Sequence, residues 1–458
     1  MCRSPEAGSC GFTDRAEPHP VQWSLTVKSI ERETITKVWW RIVPLLAGAL
    51  ALDALDRANL ALAAVQMKQA LGLSNTALGV AGGFVGIGYA IAAVPSTLAL
   101  QRVGARRWMS LLMFVWGLCS AGTALVSSRG ELVFARVLLG VAEAGFAPGL
   151  ILYLTYWLPS EYRGRVLASI LMVNSLATVI SGPMGSGLLS LDGFLGLAGW
   201  QWLFIVEGLP TVVLACVVFR FLPDRPADAH WLTPPQRDWL TERLAAQARS
   251  VVAAQGHRVG WRALTNVWVV LLAVTYLGMI TSGNVLGSFL PLIIRSMGFS
   301  IGHVGFVLAV PPLLAMLSQP LWGAWSDRAQ RREIVVVAGC LMQALALCCA
   351  GVLLPSPWAL VPLTLAVIAR QGTTAPFWTL PPAFLTGTSA AAGIALINLS
   401  GNFGGFTGPS LMGWASDATG AYGGGLIVGA APTIVSGAIL TVMAFRSARP
   451  AVASPASR

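Results

Sequence analysis

The stretch "LDALDRANLA", Leu52–Ala61, places Asp53, Asp56 and Arg57 within one helical turn of each other inside an otherwise apolar run. A water-facing helix would solvate all three. In a lipid-spanning helix each such charge costs at least about 2.5–3.5 kcal/mol, and such residues face a bundle interior or a water-filled path. The composition decides between the two cases. Hydrophobic residues make up 55% of the 458 and charged residues only 11%, against about 25% charged in ordinary soluble domains. This is the balance of a multi-span membrane protein.

Breaks in charge, Pro and Gly predict an all-α chain with twelve membrane-spanning helices. The first six lie near 42–63, 77–98, 108–127, 131–155, 167–190 and 200–219. The second six lie near 264–290, 303–324, 334–355, 359–382, 390–413 and 422–445. Each is close to the roughly 20 residues that cross a hydrocarbon core. The basic residues give a separate check. With both termini in the cytosol, 24 of the 30 Lys and Arg fall in cytosolic segments, as the positive-inside rule requires. The expected organisation is a cytosolic tail over 1–41, a six-helix bundle over 42–219, and a cytosolic linker over 220–262. A second bundle follows over 263–445, then a cytosolic tail over 446–458. Thr233 before "PPQRDWLTERLAAQ" predicts a short amphipathic helix within the linker.

The halves carry an internal repeat. Arg102 and Arg328 stand 226 residues apart, and so do the pairs Gly182-Pro183 and Gly408-Pro409. Two unrelated features at one offset, near half the chain, point to duplication. Duplicated helical halves around a central site are a transporter architecture.

Several functions are disfavoured. The net charge of +11 sits in short patches between apolar runs, with no aromatic-interleaved stripe for nucleic acid. The seven cysteines and four histidines have no ligand spacing, so no metal is expected. Neither "GxGxxG" after a strand nor "GxxxxGK" occurs. No cofactor, nucleotide-driven pump or enzyme is therefore expected. Transport must draw on an ion gradient or run downhill.

The charges inside the spans are the candidate site. Asp53 and Arg57 are four apart, acid first, the favourable order for a helical pair, and Asp56 can share their polar face. One reading is a structural ion pair that neutralises Arg57. The other is that one carboxylate, Asp56 more than Asp53, carries protons while Arg57 meets an anionic substrate. Arg136 and Glu143, in "ARVLLGVAEAGFAPG", are seven apart and thus about 10.5 Å apart along one side of the fourth helix. They cannot form a simple intrahelical pair. Glu143 is either a proton carrier whose arginine partner comes and goes, or a neutral acid bonded within the bundle. Arg370 lies halfway along the tenth span, as a cavity residue or as a snorkelling one. Tyr89, Asn174, Tyr276, Trp378, Asn398 and Asn402 are the neutral polar and aromatic candidates. The loops "QRVGARRW" and "GAWSDRAQRR" hold Arg102, Arg106, Asp327, Arg328 and Arg331, expected both to fix the loops inside and to latch the halves.

These loops resemble the two copies of the signature loop of the major facilitator superfamily. The strings "LDRANLALA", "RVLLGVAEAGFAPG", "YLTYWLPSEYRGR", "GLAGWQWLFIVEGLP" and "INLSGNFGGFTGP" resemble its anion:cation symporter branch, carriers of tartrate, hydroxyphenylacetate, phthalate and sugar acids. The resemblance runs from about Arg41 to Phe445. It implies the major facilitator fold, Asp56 and Arg57 as the first-helix acid–arginine pair, and Arg136 as an arginine that meets substrate or holds the acid. It further implies Glu143 as the coupled carboxylate, with Tyr89 and Asn174 in the cavity. Gln101 stands where an aspartate is usual, Ala105 where an arginine is, and Asp53 where asparagine is common.

The expected function is proton symport of a small carboxylate by alternating access, in a multi-pass protein of the cell inner membrane. Its partners are the organic anion, protons and membrane lipid, with no nucleic acid, and it acts as a monomer. Asn174, Trp378 and the scarcity of further arginines lean toward an aromatic or short dicarboxylic acid. Electroneutral anion exchange or facilitated diffusion is the alternative.

Overall fold

The computed structural model describes residues 20–254, 266–329, 331–381 and 388–447. The first 19 residues of the expected N-terminal tail, the end of the linker and most of the expected C-terminal tail lie outside them. The described chain is all helix and turn. In chain order the helices are α1 (Pro20–Ala70), α2 (Asn75–Val103), α3 (Ala105–Gly122), α4 (Arg129–Glu143), α5 (Phe146–Trp157), α6 (Ser160–Leu189) and α7 (Gly199–Phe221). After α8 (Pro234–Ala254) come α9 (Val267–Ser296), α10 (Ile301–Arg328), α11 (Arg332–Leu353), α12 (Leu360–Trp378), α13 (Thr388–Thr419) and α14 (Tyr422–Ser447). Among the described residues, ten stretches are long and apolar enough to cross a membrane, counting α4 and α5 as one. The helices α12 and α13 pack among them.

The helices start where the sequence can satisfy their free amides. Ser74 caps α2, its Oγ accepting from Ala77 N at 3.0 Å. Ser128 caps α4 by accepting from Glu131 N at 3.3 Å, while Glu131 accepts from Ser127 N at 2.8 Å. Large apolar side chains such as Phe134, Leu321 and Val352 point outward, the inverse of a soluble fold and the surface a bilayer covers. Helix α8 docks on one end of the first bundle, where Lys37 donates to Gln236 at 3.0 Å and Arg243 pairs with Glu161 at 3.0 Å.

Several helices end some residues away from their expected spans, and two departures are of another kind. Helix α1 begins at residue 20 rather than 42, because the step from charged to apolar residues at Arg41 marks a change of surroundings and not of backbone. The fourth span, expected to run unbroken over 131–155, is two helices. Gly145 adopts φ +87°, and Ser96 packs against it so closely that an added Cβ would lie 2.6 Å from Ser96 Cβ. Only glycine meets both conditions cheaply.

The repeat seen in the sequence becomes the contact between halves. Gly79 on α2 abuts the Pro409 carbonyl on α13, and Gly305 on α10 abuts the Gly182 carbonyl on α6. Gly79 and Gly305 are themselves 226 residues apart, so the two seams are counterparts under one pseudo-two-fold. Gly83 and Gly86 continue the α2–α13 seam against Phe406 and Asn402. At the end of the bundle remote from α8, Asp417 of the second half accepts hydrogen bonds from Asn75 N (3.2 Å), Thr76 N (2.7 Å) and Thr76 Oγ1 (2.6 Å) of the first. It thus caps the α2 N-terminus across the interface. Tyr422 adds a hydrogen bond to Asn75 Oδ1 at 3.4 Å.

Candidate functional site

Arg57 is the centre of the site. Its Nε and Nη2 donate to the two carboxylate oxygens of Asp53 at 2.9 and 3.1 Å, and Nη2 lies 3.1 Å from Glu143 Oε2. The exposures differ sharply: 51% for the Arg57 side chain, 15% for Asp53 and 2% for Glu143. A guanidinium therefore opens to water inside the bundle with one carboxylate beside it and a sealed one behind. Tyr89 on α2 faces the same cluster. The break after α4 explains how Glu143 reaches Arg57. It is the last residue of that helix, where the unsatisfied carbonyls make a poor environment for a carboxylate, and the Arg57 cation offsets them.

Asp56 does not share this arrangement, contrary to the expectation of one polar face. Its carboxylate turns toward α3 and accepts hydrogen bonds from Trp116 Nε1 and Ser120 Oγ, as well as from Asn59 Nδ2 at 2.8 Å. It is 1% exposed. The 100° between successive helical residues separates it from Arg57, and the neutral donors on α3 hold it there. Arg136 is sealed within the first half. It is 2% exposed, with its guanidinium carbon 5.0 Å from the centre of the Phe204 ring. Its Nε and Nη2 have no hydrogen-bond partner, and the charges facing it are Asp56 and Glu143.

Glu207 on α7 escaped the sequence reading. Both its carboxylate oxygens are buried without a hydrogen-bond partner, and Asp56 is the charged group facing it. The signal was present, since an acid within the expected sixth span meets the criterion that singled out Asp53.

A central cavity of about 140 Å³ lies between the halves, walled by Ala58 and Ala61 of α1, Ser181 of α6, Gly283 of α9, Gln343 of α11 and Arg370 of α12. Arg370 is thus a cavity residue and does not snorkel. Gly283 makes room for it: a Cβ there would lie 2.6 Å from Arg370 Cδ. A larger groove formed by α9, α13 and α14 around Leu411 and Trp414 opens on the outer, apolar surface, away from every intramembrane charge. The other candidates scatter. Tyr276 stacks on Phe377 at 5.0 Å and meets Trp378 edge-on at 5.1 Å. Asn402 sits on the α2–α13 seam, Asn398 is exposed one turn away, and Asn174 is half-buried on α6.

The loop residues divide by half. Asp327 reaches Arg332 only at 4.0 Å, with both side chains exposed. Arg331 donates to the Ala444 carbonyl at 3.0 Å, Arg102 and Arg328 are exposed, and Arg106 lies over Phe219 at 5.0 Å. Asp224 accepts from Arg106 N at 2.8 Å and so caps the start of α3, a partner that nothing in the loop string reveals.

Two pseudo-symmetric helical halves, a central cavity and opposite charges buried among the helices define a multi-pass membrane protein of the transporter class. The comparisons agree. A family model described as the Major Facilitator Superfamily matches residues 46–409 and 272–458. A protein of Agrobacterium vitis, described provisionally as a tartrate transporter, is 40% identical over 429 residues, which cover 93% of this chain and 95% of the relative. A quinolone resistance transporter of Acinetobacter baumannii is 35% identical over 86% of this chain and 91% of its own. Among solved structures, a bacterial homologue of the human lysosomal transporter Spinster superposes with a TM-score of 0.70 at 18% identity, over 90% of this chain and 98% of that one. The chain belongs to the Major Facilitator Superfamily.

Proposed function

We propose that this protein imports a small organic anion by proton symport, with the protonation of Glu143 controlling whether Arg57 is free to bind the anion. The observation that carries the reading is the placement of a half-exposed guanidinium between two carboxylates, one of them sealed. With Glu143 ionised, Arg57 is doubly compensated and a poor anion receptor. A proton on Glu143 releases one of those partners, and the substrate carboxylate replaces it. Proton and anion then move together because each makes room for the other. Asp53 stays on Arg57 as its orienting acid, and Asp56, held by its three donors, enters the proton path only through Arg136 and Glu143. The tartrate transport ascribed to the Agrobacterium relatives supports a small hydroxy acid as cargo.

The proposed topology has twelve spans, α4 and α5 forming one, with both termini and α8 in the cytosol, where 24 of the 30 basic residues then lie. The Asp417 contacts then close the outer end, and the two halves rock about the glycine seams. Inward-negative potential opposes an entering anion by about 2.3 kcal/mol per charge per 100 mV, so protons in excess of substrate charges favour import.

Proteoliposomes test this. An imposed inward proton gradient alone is expected to drive accumulation of labelled tartrate, and the double variant Glu143→Gln, Asp56→Asn to abolish it while leaving exchange across the membrane. Accumulation that persists in the double variant would remove Glu143 and Asp56 from the proton path, and uptake that strictly requires an anion on the far side would replace symport with exchange.

A further inference from the structure

Arg370 raises an electrostatic problem that its own half cannot solve. Between residues 267 and 447 the acids are Asp327, Glu333 and Asp417. Asp327 and Glu333 lie at the α10–α11 turn and Asp417 at the far end of α13, none at mid-helix. Among the described residues no carboxylate comes within ion-pair distance of Arg370, whereas Arg57 has two. The group facing Arg370 is the neutral Tyr276. A cation at this depth calls for a counter-charge, and the cavity it lines can admit one. The side chain lies against Gly283, whose missing Cβ leaves the space it occupies.

The two halves therefore carry opposite balances: Arg370 lines the cavity, while Arg57 lies on α1 next to the lining residue Ala58. The Arg57 cluster, with Asp53 and Glu143 ionised, holds one negative charge in excess. The Arg370 side holds one uncompensated positive charge. We infer that Arg370 and Gly283 form a second carboxylate subsite, on the half that does not carry Arg57, so that the substrate is a short dicarboxylic acid clamped between the two halves. One carboxylate meets Arg57 after the exchange with Glu143 described above, and this part rests on the proposed function; a monocarboxylate is held there alone. The second carboxylate of the same molecule reaches Arg370. Thr178, Ser181, Gln343 and Gln371 on the same walls are neutral donors and acceptors of the kind that hydroxyl groups between two carboxylates need. The volume suits such a molecule, since about 140 Å³ is well below the ~300–1,000 Å³ of drug-sized pockets.

Equilibrium binding to the purified full-length protein separates this from a single-carboxylate site. The probes are L-tartrate and succinate as dicarboxylates, and glycerate and lactate as monocarboxylates. Wild type is expected to bind at least one dicarboxylate roughly tenfold or more tighter than either monocarboxylate, because a guanidinium–carboxylate pair is lost without the second acid group. Arg370→Gln is expected to weaken the dicarboxylates by about tenfold or more and leave the monocarboxylates within about threefold. Gly283→Ala, which displaces the guanidinium without removing it, should weaken the dicarboxylates selectively but less. Arg370→Lys, which keeps the charge but not the planar fork, should fall between. If Arg370→Gln does not elute as a monodisperse protein, the Gly283→Ala and Arg370→Lys results decide. Equal loss for both acid classes, no loss in any variant, or failure of both dicarboxylates to bind wild type overturns the subsite. Proton-driven uptake of a monocarboxylate alone would remove the subsite and leave the symport reading standing.

Discussion

Trp116 is the one donor to one sealed oxygen of Asp56, while Ser120 and Asn59 share the other. Trp116→Phe is expected to destabilise the protein by on the order of 1–3 kcal/mol, read as a lower Tm of the detergent-purified chain. Asp56→Asn together with Trp116→Phe should cost less than the sum, because the charge that needed the donor is gone. Glu143 predicts a different outcome. In wild type, raising the external pH keeps Glu143 ionised and Arg57 occupied, so uptake falls; Glu143→Gln lacks the titrating group, and its exchange rate should be flat across the same pH range. Asp53, Arg57 and Glu143 were legible one residue at a time, because a charge within an apolar run is conspicuous wherever it occurs. The division of partners was not. Asp53, Asp56 and Arg57 fall within one turn of α1, and only the donors on α3 and the position of Glu143 decide which acid the arginine takes.

At the scale of the helix, the sequence marks spans well and interruptions badly. Gly and Pro end helices in water, yet inside membranes they are tolerated because neighbouring segments re-satisfy the freed backbone groups. "AEAGFAPG" thus reads as the interior of one span, although Gly145 breaks it two residues after Glu143. The cap that Asp417 places on α2 is equally invisible, since the residues are separated by more than 340 positions. It binds one half to the other at the end remote from α8. Loss of a helix cap costs about 1 kcal/mol, or roughly fivefold in an equilibrium between two states. Asp417→Ala is accordingly expected to populate the form in which this end is open. Spin labels at the exposed positions Gln69 and Ala421 should then show a longer distance component, which the Asp417→Asn variant shares in part.

Across the whole molecule, the offset of 226 residues has a mechanical meaning. Gly79 and Gly305 each press a bare Cα against a carbonyl of the other half, giving two equivalent places where the halves meet without intervening side chains. Gly79→Leu or Gly305→Leu would insert bulk where a Cβ alone already collides with backbone. Each variant is expected to fold, to elute as wild type does, and to lose transport, with the same spin-label pair reporting an end that no longer closes. The repeat was readable from two loops and two Gly-Pro pairs. That it forms the contact between halves was not, because pairing at a distance leaves no periodic trace in either segment. The Asp417 contact has one further consequence, for how the protein tolerates inherited change. Two of the three donors are main-chain amides, present in nearly every amino acid, so variation at positions 75 and 76 is buffered unless proline arrives. The acceptor of all three bonds is a single side chain, so that these contacts together rest on one codon.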